Sequence, residues 1–181
     1  MAFIISGTTV ISYAEAFDIR DKDQRVFEAN EINFADAPDA PATLDEYLED
    51  LATKSTGRIN QKIRASAHWR EYVGISNVND LPEIVGAQIK SRKGDFTDLC
   101  AYYALKEYIL PKVADFGNPE SPEVQKITYY EAKFNDLFSE LMSILDWYDL
   151  DDSGVVDTDE QRTRYAKTRR TRGRRPIVRV R

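Results

Sequence analysis

Apolar residues recur at helical spacing in three stretches of this chain, and each stretch opens on a start signal. The first holds Leu44, Leu48, Leu51, Ile59 and Ile63, positions that share one face of a 3.6-residue period. It follows Thr43-Leu44-Asp45-Glu46, a capping box in which hydroxyl and carboxylate satisfy free N–H groups of the first turn. The spacing predicts one long helix running to about Tyr72, with Gly57 a weak spot and Gly74 a stop. In the second stretch Asp95 is placed to cap a helix carrying Phe96, Leu99, Tyr103, Leu105 and Ile109. Pro111 should kink it, since proline lacks the N–H that the helix needs, and it should finish near Gly117. Ser121-Pro122-Glu123 starts the third: a capping hydroxyl, a proline at the first helical position and an acid at the positive end of the dipole. Val124, Ile127, Phe134, Leu137, Phe138, Leu141, Ile144 and Leu145 form its apolar stripe through about Tyr148, wide enough to pack on two neighbours.

The remaining sequence is less periodic. Residues 1–42 combine a β-like run (Phe3-Ile4-Ile5, then Thr8 to Ile11) with an Ala/Asp/Pro segment, and read as an extended lead-in with a short helix. Residues 74–94 hold Pro82, Gly86 and Gly94 and read as a long loop with at most one helical turn. The expected fold class is therefore mainly α: a helical bundle of about three long helices over residues 43–150, preceded by the lead-in and followed by an acidic turn and basic arm over 151–181. No repeat of solenoid length is visible.

Composition fits a water-soluble globular chain, with 42% hydrophobic and 31% charged residues. No apolar run approaches the roughly 18 residues that span a bilayer, and the start lacks a signal-peptide pattern, so neither export nor a membrane partner is expected. The lone Cys100 rules out an internal disulfide and Cys-based zinc clusters, and its aromatic surroundings mark it as a buried apolar residue. Charge changes the picture more. The net charge of −6 conceals a division: residues 162–181 hold ten Arg or Lys and no acid, while the other 15 basic residues face all 31 acids, a net −16 over residues 1–161. Two such blocks imply an anionic counterpart for the arm.

Between body and arm, Asp149-Leu150-Asp151-Asp152-Ser153-Gly154-Val155-Val156-Asp157-Thr158-Asp159-Glu160 matches the calcium loop of an EF-hand. Asp149, Asp151, Ser153, Asp157 and Glu160 supply side-chain oxygens, Val155 its carbonyl, and Gly154 the sharp turn. It is half a motif, because residues 161–172 lack an apolar exit-helix face and no second hand is present. An equal alternative is a metal-free, Asp-rich turn that caps the third helix. No cofactor is required, and a bound Ca²⁺ would be structural. The two Met residues do not provide the groove of a calcium sensor.

Catalysis is not expected. His68 is the one histidine, beside Trp69 on a predicted helix, and would have to carry any triad alone. Lys54-Ser55-Thr56-Gly57 has the letters of a phosphate loop in the wrong order and follows no strand. The Glu49-Asp50 pair lies on a solvated helix face.

Three stretches resemble the head–tail adaptor, or head-completion, proteins of tailed bacteriophages. They are Arg58-Ile59-Asn60-Gln61-Lys62-Ile63-Arg64-Ala65-Ser66 with His68-Trp69-Arg70; Asp95 to Leu99 running on to Tyr108-Ile109-Leu110-Pro111-Lys112-Val113-Ala114; and Tyr130 to Asp149. The resemblance covers roughly residues 43–156. It implies a virion structural protein, assembled in the host cytoplasm and located in the neck. There a ring of identical copies, a dodecamer in this family, joins the portal to a tail or stopper protein and lines part of the channel for genomic DNA. It also implies a C-terminal arm that grips the portal. Here Arg169, Arg170, Arg172, Arg174 and Arg175 would meet acidic portal surface, and Ile177, Val178, Arg179, Val180 and Arg181 alternate as an added edge strand would. The loop cations Lys90, Arg92 and Lys93 would touch DNA phosphates. Two other readings are a nucleic-acid-binding protein acting through the tail, and a single-EF-hand calcium-binding protein.

Overall fold

The computed structural model describes residues 3–6, 9–29, 41, 43–75, 77–118 and 120–156, and it is mainly helical. A short hairpin, β1 (Ile4–Ser6) and β2 (Thr9–Ser12), leads into helices α1 (Ala16–Lys22) and α2 (Gln24–Ala29). Then come α3 (Leu44–Ala65), α4 (Ala67–Val73) and 3₁₀ turns at Val78–Asp80 and Gly86–Gln88. The chain continues through α5 (Lys93–Ala104), a π-helical turn (Leu105–Ile109), α6 (Leu110–Val113) and α7 (Pro122–Ile144). The hairpin is antiparallel, with Ile5 opposite Val10, Ser6 opposite Thr9, and an irregularity between Ile4 and Ile5.

The capping hydroxyls read from sequence act as expected at α3 and α7, although the Glu46 carboxylate does not complete the capping box by accepting from the Thr43 N–H. Thr43 Oγ1 accepts from the Glu46 N–H at 3.2 Å, and Ser121 Oγ from the Val124 N–H at 3.3 Å with Pro122 at the first turn. The predicted stripes are largely inside: Leu48, Leu51, Ile59 and Ile63 of α3, all five named residues of the second stretch, and Phe134, Leu141 and Leu145 of the third are buried. Ile144 is exposed, while Tyr130 and Met142 take buried places on α7.

Four boundaries differ from the sequence expectation. The first helix breaks at Ser66, whose hydroxyl donates to the Ile63 carbonyl (2.7 Å) and accepts from the Trp69 N–H (3.1 Å). One side chain thus ends α3 and starts α4, the backbone competition that serine offers; Gly57 passes without interruption, and Gly74 ends α4 in the left-handed region. The second helix begins at Lys93 rather than after Asp95, because Arg92 takes the N-terminal boundary and Asp95 sits in the first turn as an acid. Upstream of Pro111 the helix widens into the π-turn, where the Leu110 N–H reaches the Leu105 carbonyl, and it ends at Val113 as Ala114 turns extended. The third helix stops at Ile144, not Tyr148, because Leu145 adopts a left-handed conformation with φ 52°.

The largest departure concerns the N-terminus. Residues 1–42 are not merely a lead-in: Val10, Tyr13, Ala14, Ala16, Ile19 and Val26 belong to the same core as the long helices. Tyr13 is the anchor. Its N–H donates to Thr56 Oγ1 (3.0 Å), its carbonyl accepts from Thr97 Oγ1 (2.9 Å), and its phenol donates to Asn60 Oδ1 (2.5 Å). Burial pushes the Tyr13 phenol far above its ordinary value, so it stays a neutral donor. The buried Cys100 contacts Thr56 and the Ala52 carbonyl, and burial drives its thiol up to about 12. It is the inert apolar residue expected from sequence.

Next to the Tyr13 anchor, across Phe96, Trp69 stacks on Trp147 (centroids 5.7 Å, planes 7° apart). Phe96 and Tyr148 close the cluster edge-on, Phe96 against Trp147 at 4.8 Å and Tyr148 against Trp69 at 4.9 Å. Trp147 Nε1 donates to the Leu141 carbonyl at 3.0 Å, near the point where α7 terminates. Replacing Trp147 by Ala should cost about 3–5 kcal/mol, whereas Phe116→Ala, at a side chain 66% exposed, should stay within about 0.5 kcal/mol. Urea unfolding of the two variants measures both.

Candidate functional site

The stretch 74–94, which reads from sequence as a long loop carrying the cations Lys90, Arg92 and Lys93, is not free of the body. It is instead stitched on both sides. Val85 forms an antiparallel bridge with Thr9 of β2, and Ile89 one with Tyr148. Across the second bridge the Lys90 N–H donates to the Trp147 carbonyl and the Asp149 N–H to the Gln88 carbonyl, both at 2.9 Å. Gly86 is required at the first bridge, since a Cβ there would lie 2.7 Å from Val10 Cγ2. Tyr148 ties the layers further: its hydroxyl donates to Gln88 Oε1 and accepts from the Val85 N–H, while its carbonyl accepts from the Tyr72 hydroxyl at 2.6 Å. Leu81, Ile84 and Ile89 are buried beneath.

This clasp brings the loop cations to the carboxylates at the end of α7. Lys90 Nζ lies 3.6 Å from Asp149 Oδ2 and 3.8 Å from Asp152 Oδ1. Arg92 meets Glu140 (2.5 Å), Asp95 (3.4 Å) and Asp146 (3.6 Å). The hydrogen bond to Glu140, outweighing burial, and the three negative charges raise the Arg92 pKa further. Of the three cations expected to face DNA, Lys90 and Arg92 therefore already have acidic partners within the body. Lys93 is exposed, with its ammonium 5.6 Å from the Phe3 ring centre.

The Asp-rich turn is built around Asp149, whose side chain is fully covered. Its carboxylate accepts from the N–H groups of Ser153 (3.2 Å) and Gly154 (2.8 Å), and Gly154 supplies a positive φ of 96°. Asp151 Oδ1 accepts from the same Ser153 N–H at 3.1 Å, and the Ser153 hydroxyl donates to the Val155 carbonyl at 2.9 Å. Four of the six candidate calcium ligands, Asp149, Asp151, Ser153 and Val155, thus join one hydrogen-bonded turn, and the cation beside it is the Lys90 ammonium. Among the described residues no group of three or more His, Cys, Asp or Glu side chains is gathered to hold a metal. Asp157 and Glu160 lie outside the described residues, as does the whole arm from Arg169 to Arg181.

The other sequence candidates are separated from this region. Lys54, Ser55, Thr56 and Gly57 are internal to α3, with Ser55 and Thr56 buried, and His68 is exposed on α4. No described helix is long and apolar enough to cross a membrane. Comparison of the chain with protein-family models, with curated proteins and with solved structures gives no match.

Burial would raise the Asp149 pKa, but the Gly154 N–H, the Asp151 side chain, the Ser153 N–H and the Lys90 charge together hold it below its ordinary value of 3.8. A carboxylate depressed on folding contributes stability that is complete above its unfolded pKa and lost as pH falls through the folded one. Asp149→Asn should therefore be less stable than wild type at neutral pH. The gap should close on acidification below about pH 5, as read from urea midpoints across that range.

Proposed function

We propose that the protein is a non-enzymatic structural component of a tailed-phage virion, a head–tail adaptor. Its copies ring the neck beneath the portal, its arm grips the portal, and its other face receives a tail or stopper protein. The observation that carries this reading is the division of charge: a body of net −16 followed by twenty residues with ten cations and no acid, closing in Pro176-Ile177-Val178-Arg179-Val180-Arg181. An alternating strand-like terminus with an arginine-rich lead suits addition to the sheet edge of an acidic partner. The mainly helical body and the clasp that holds the chain through Tyr148 and Asp149 support it as well, because an arm works as a tether only when its root is fixed. The acid excess of the body suits a channel through which DNA slides without sticking.

Co-expression with the portal protein that this reading expects among the neighbouring genes tests it. The full chain should co-purify with portal assemblies, and a chain truncated after Gln161 should remain folded and lose that association. Portal capture undiminished by the truncation would show that the arm is not the grip. Binding of the full chain to duplex DNA but not to portal would favour a nucleic-acid-binding tail instead.

A further inference from the structure

Where α1, α2 and the first residue of α3 meet, the surface opens into a groove of about 360 Å³ lined by Phe17, Phe27 and Leu44 together with Arg20, Asp21 and Glu28. Its volume falls within the about 300–1,000 Å³ of sites that hold a ligand. Phe17 is 68% exposed, the most exposed large apolar side chain among the described residues. Phe27 and Leu44 pack against the core, so the three form an apolar surface rather than a single stray ring. The unpaired charge around it is negative. Arg20 is taken up by Asp45, and the neighbouring Lys22 by Asp98 at 2.8 Å. Asp21 and Glu28 are exposed and form no ion pair among the described residues.

An occupant of this groove needs apolar side chains for the rings and cations for the two acids. Two stretches outside the described residues can be compared by composition. Residues 30–40, which lead from α2 towards α3, carry Ile32 and Phe34, but their only charges are Glu31, Asp36 and Asp39, which Asp21 and Glu28 repel. The run Arg174-Arg175-Pro176-Ile177-Val178-Arg179-Val180-Arg181 offers three aliphatic side chains, four arginines and no acid. Ile177 follows Val156, the last described residue, by 21 positions, which span up to about 70 Å. A domain of this length has a radius of gyration of about 15 Å, so the arm can reach any face of its own body. We infer that in the free chain residues 177–181 dock on their own body in the groove between α1, α2 and α3, aliphatic side chains against Phe17, Phe27 and Leu44 and arginines against Asp21 and Glu28. Because arm and body are joined, the contact forms at an effective concentration on the order of 1 mM, and an affinity too weak to hold two separate molecules suffices. The same residues cannot fill the groove and grip another protein at once, so docking occupies the arm until a stronger partner displaces it. This goes beyond the adaptor reading and does not rest on it.

A nitroxide attached at Gly173→Cys in the full chain tests the inference, since the label lies outside the docking residues. Cys100 stays unlabelled, being buried with its thiol pushed up to about 12. The label should selectively broaden the amide resonances of α1, α2 and Leu44. An Asp21→Lys, Glu28→Lys double variant and a Phe17→Ser variant, all at exposed positions, should each lose that broadening. Salt at about 1 M, where charges are screened beyond about 3 Å, should weaken it. Broadening spread evenly over the body, centred on another surface, or undiminished in the double variant overturns the inference. So does broadening seen only between molecules, when nitroxide-bearing chains are mixed with isotope-labelled chains that lack the nitroxide. Shifts of the groove amides on Phe34→Ala, with no effect of the arm label, would assign the groove to residues 30–40 instead. An arm that does not dock on its body can still grip a portal, and a docked arm requires no portal, so each reading can fail alone.

Discussion

Backbone groups taken out of water must find hydrogen-bond partners, and the stretch from Leu81 to Arg92 meets that requirement with little helix of its own. Its two bridges, Val85 to Thr9 and Ile89 to Tyr148, connect the N-terminal hairpin to the segment that follows α7. Much else is positioned by this arrangement. Trp147, whose carbonyl accepts from the Lys90 N–H, is set into the core against Trp69 and Phe96. Leu145 accepts a left-handed backbone, which costs a non-glycine residue roughly 1–2 kcal/mol, and so turns the chain off α7 toward the clasp. Asp149 is delivered under Lys90, and the turn to Gly154 closes on it.

Electrostatics follows from the same placement. Lys90 and Arg92 are drawn to Asp149, Asp146 and Glu140, and they serve to fasten the end of α7. The acidic turn is thereby partly neutralised from within. By contrast Lys54, Arg58 and Lys62 on α3 are exposed, with no carboxylate partner among the described residues. Charge counting alone does not distinguish such cations from those that fasten the fold.

Much of the helical framework was legible in the sequence, and the reasons the rest was not are specific. Thr43, Ser121 and Gly74 act through neighbours a few residues away, so their signals are local and the structure uses them as read. Cys100 was recognisable as core from its aromatic surroundings. The break at Ser66 left no trace in the pattern because Trp69 and Tyr72 keep a helical spacing on its far side. Isolated bridges such as Thr9 to Val85 have no periodicity, and the burial of the N-terminal segment rests on Tyr13 meeting Thr56, Asn60 and Thr97, three residues from two distant helices. Lys90, Arg92 and Lys93 read as a basic cluster because the acids that pair with the first two lie across the fold, on α7 and beyond it. At the Asp149 turn the glycine and the alternating oxygens were visible, while the lysine that would sit beside them was not.

The dependence of the body on the clasp is open to one direct measurement, native-state hydrogen exchange of the Lys90 and Asp149 amides. Both donate at 2.9 Å across the bridge, and if the clasp is part of the cooperative core they exchange only with global unfolding, at the same free energy as amides in the middle of α3. Exchange through a local opening several kcal/mol below the global value would contradict that, and would mean that the root of the arm is not fixed to the body.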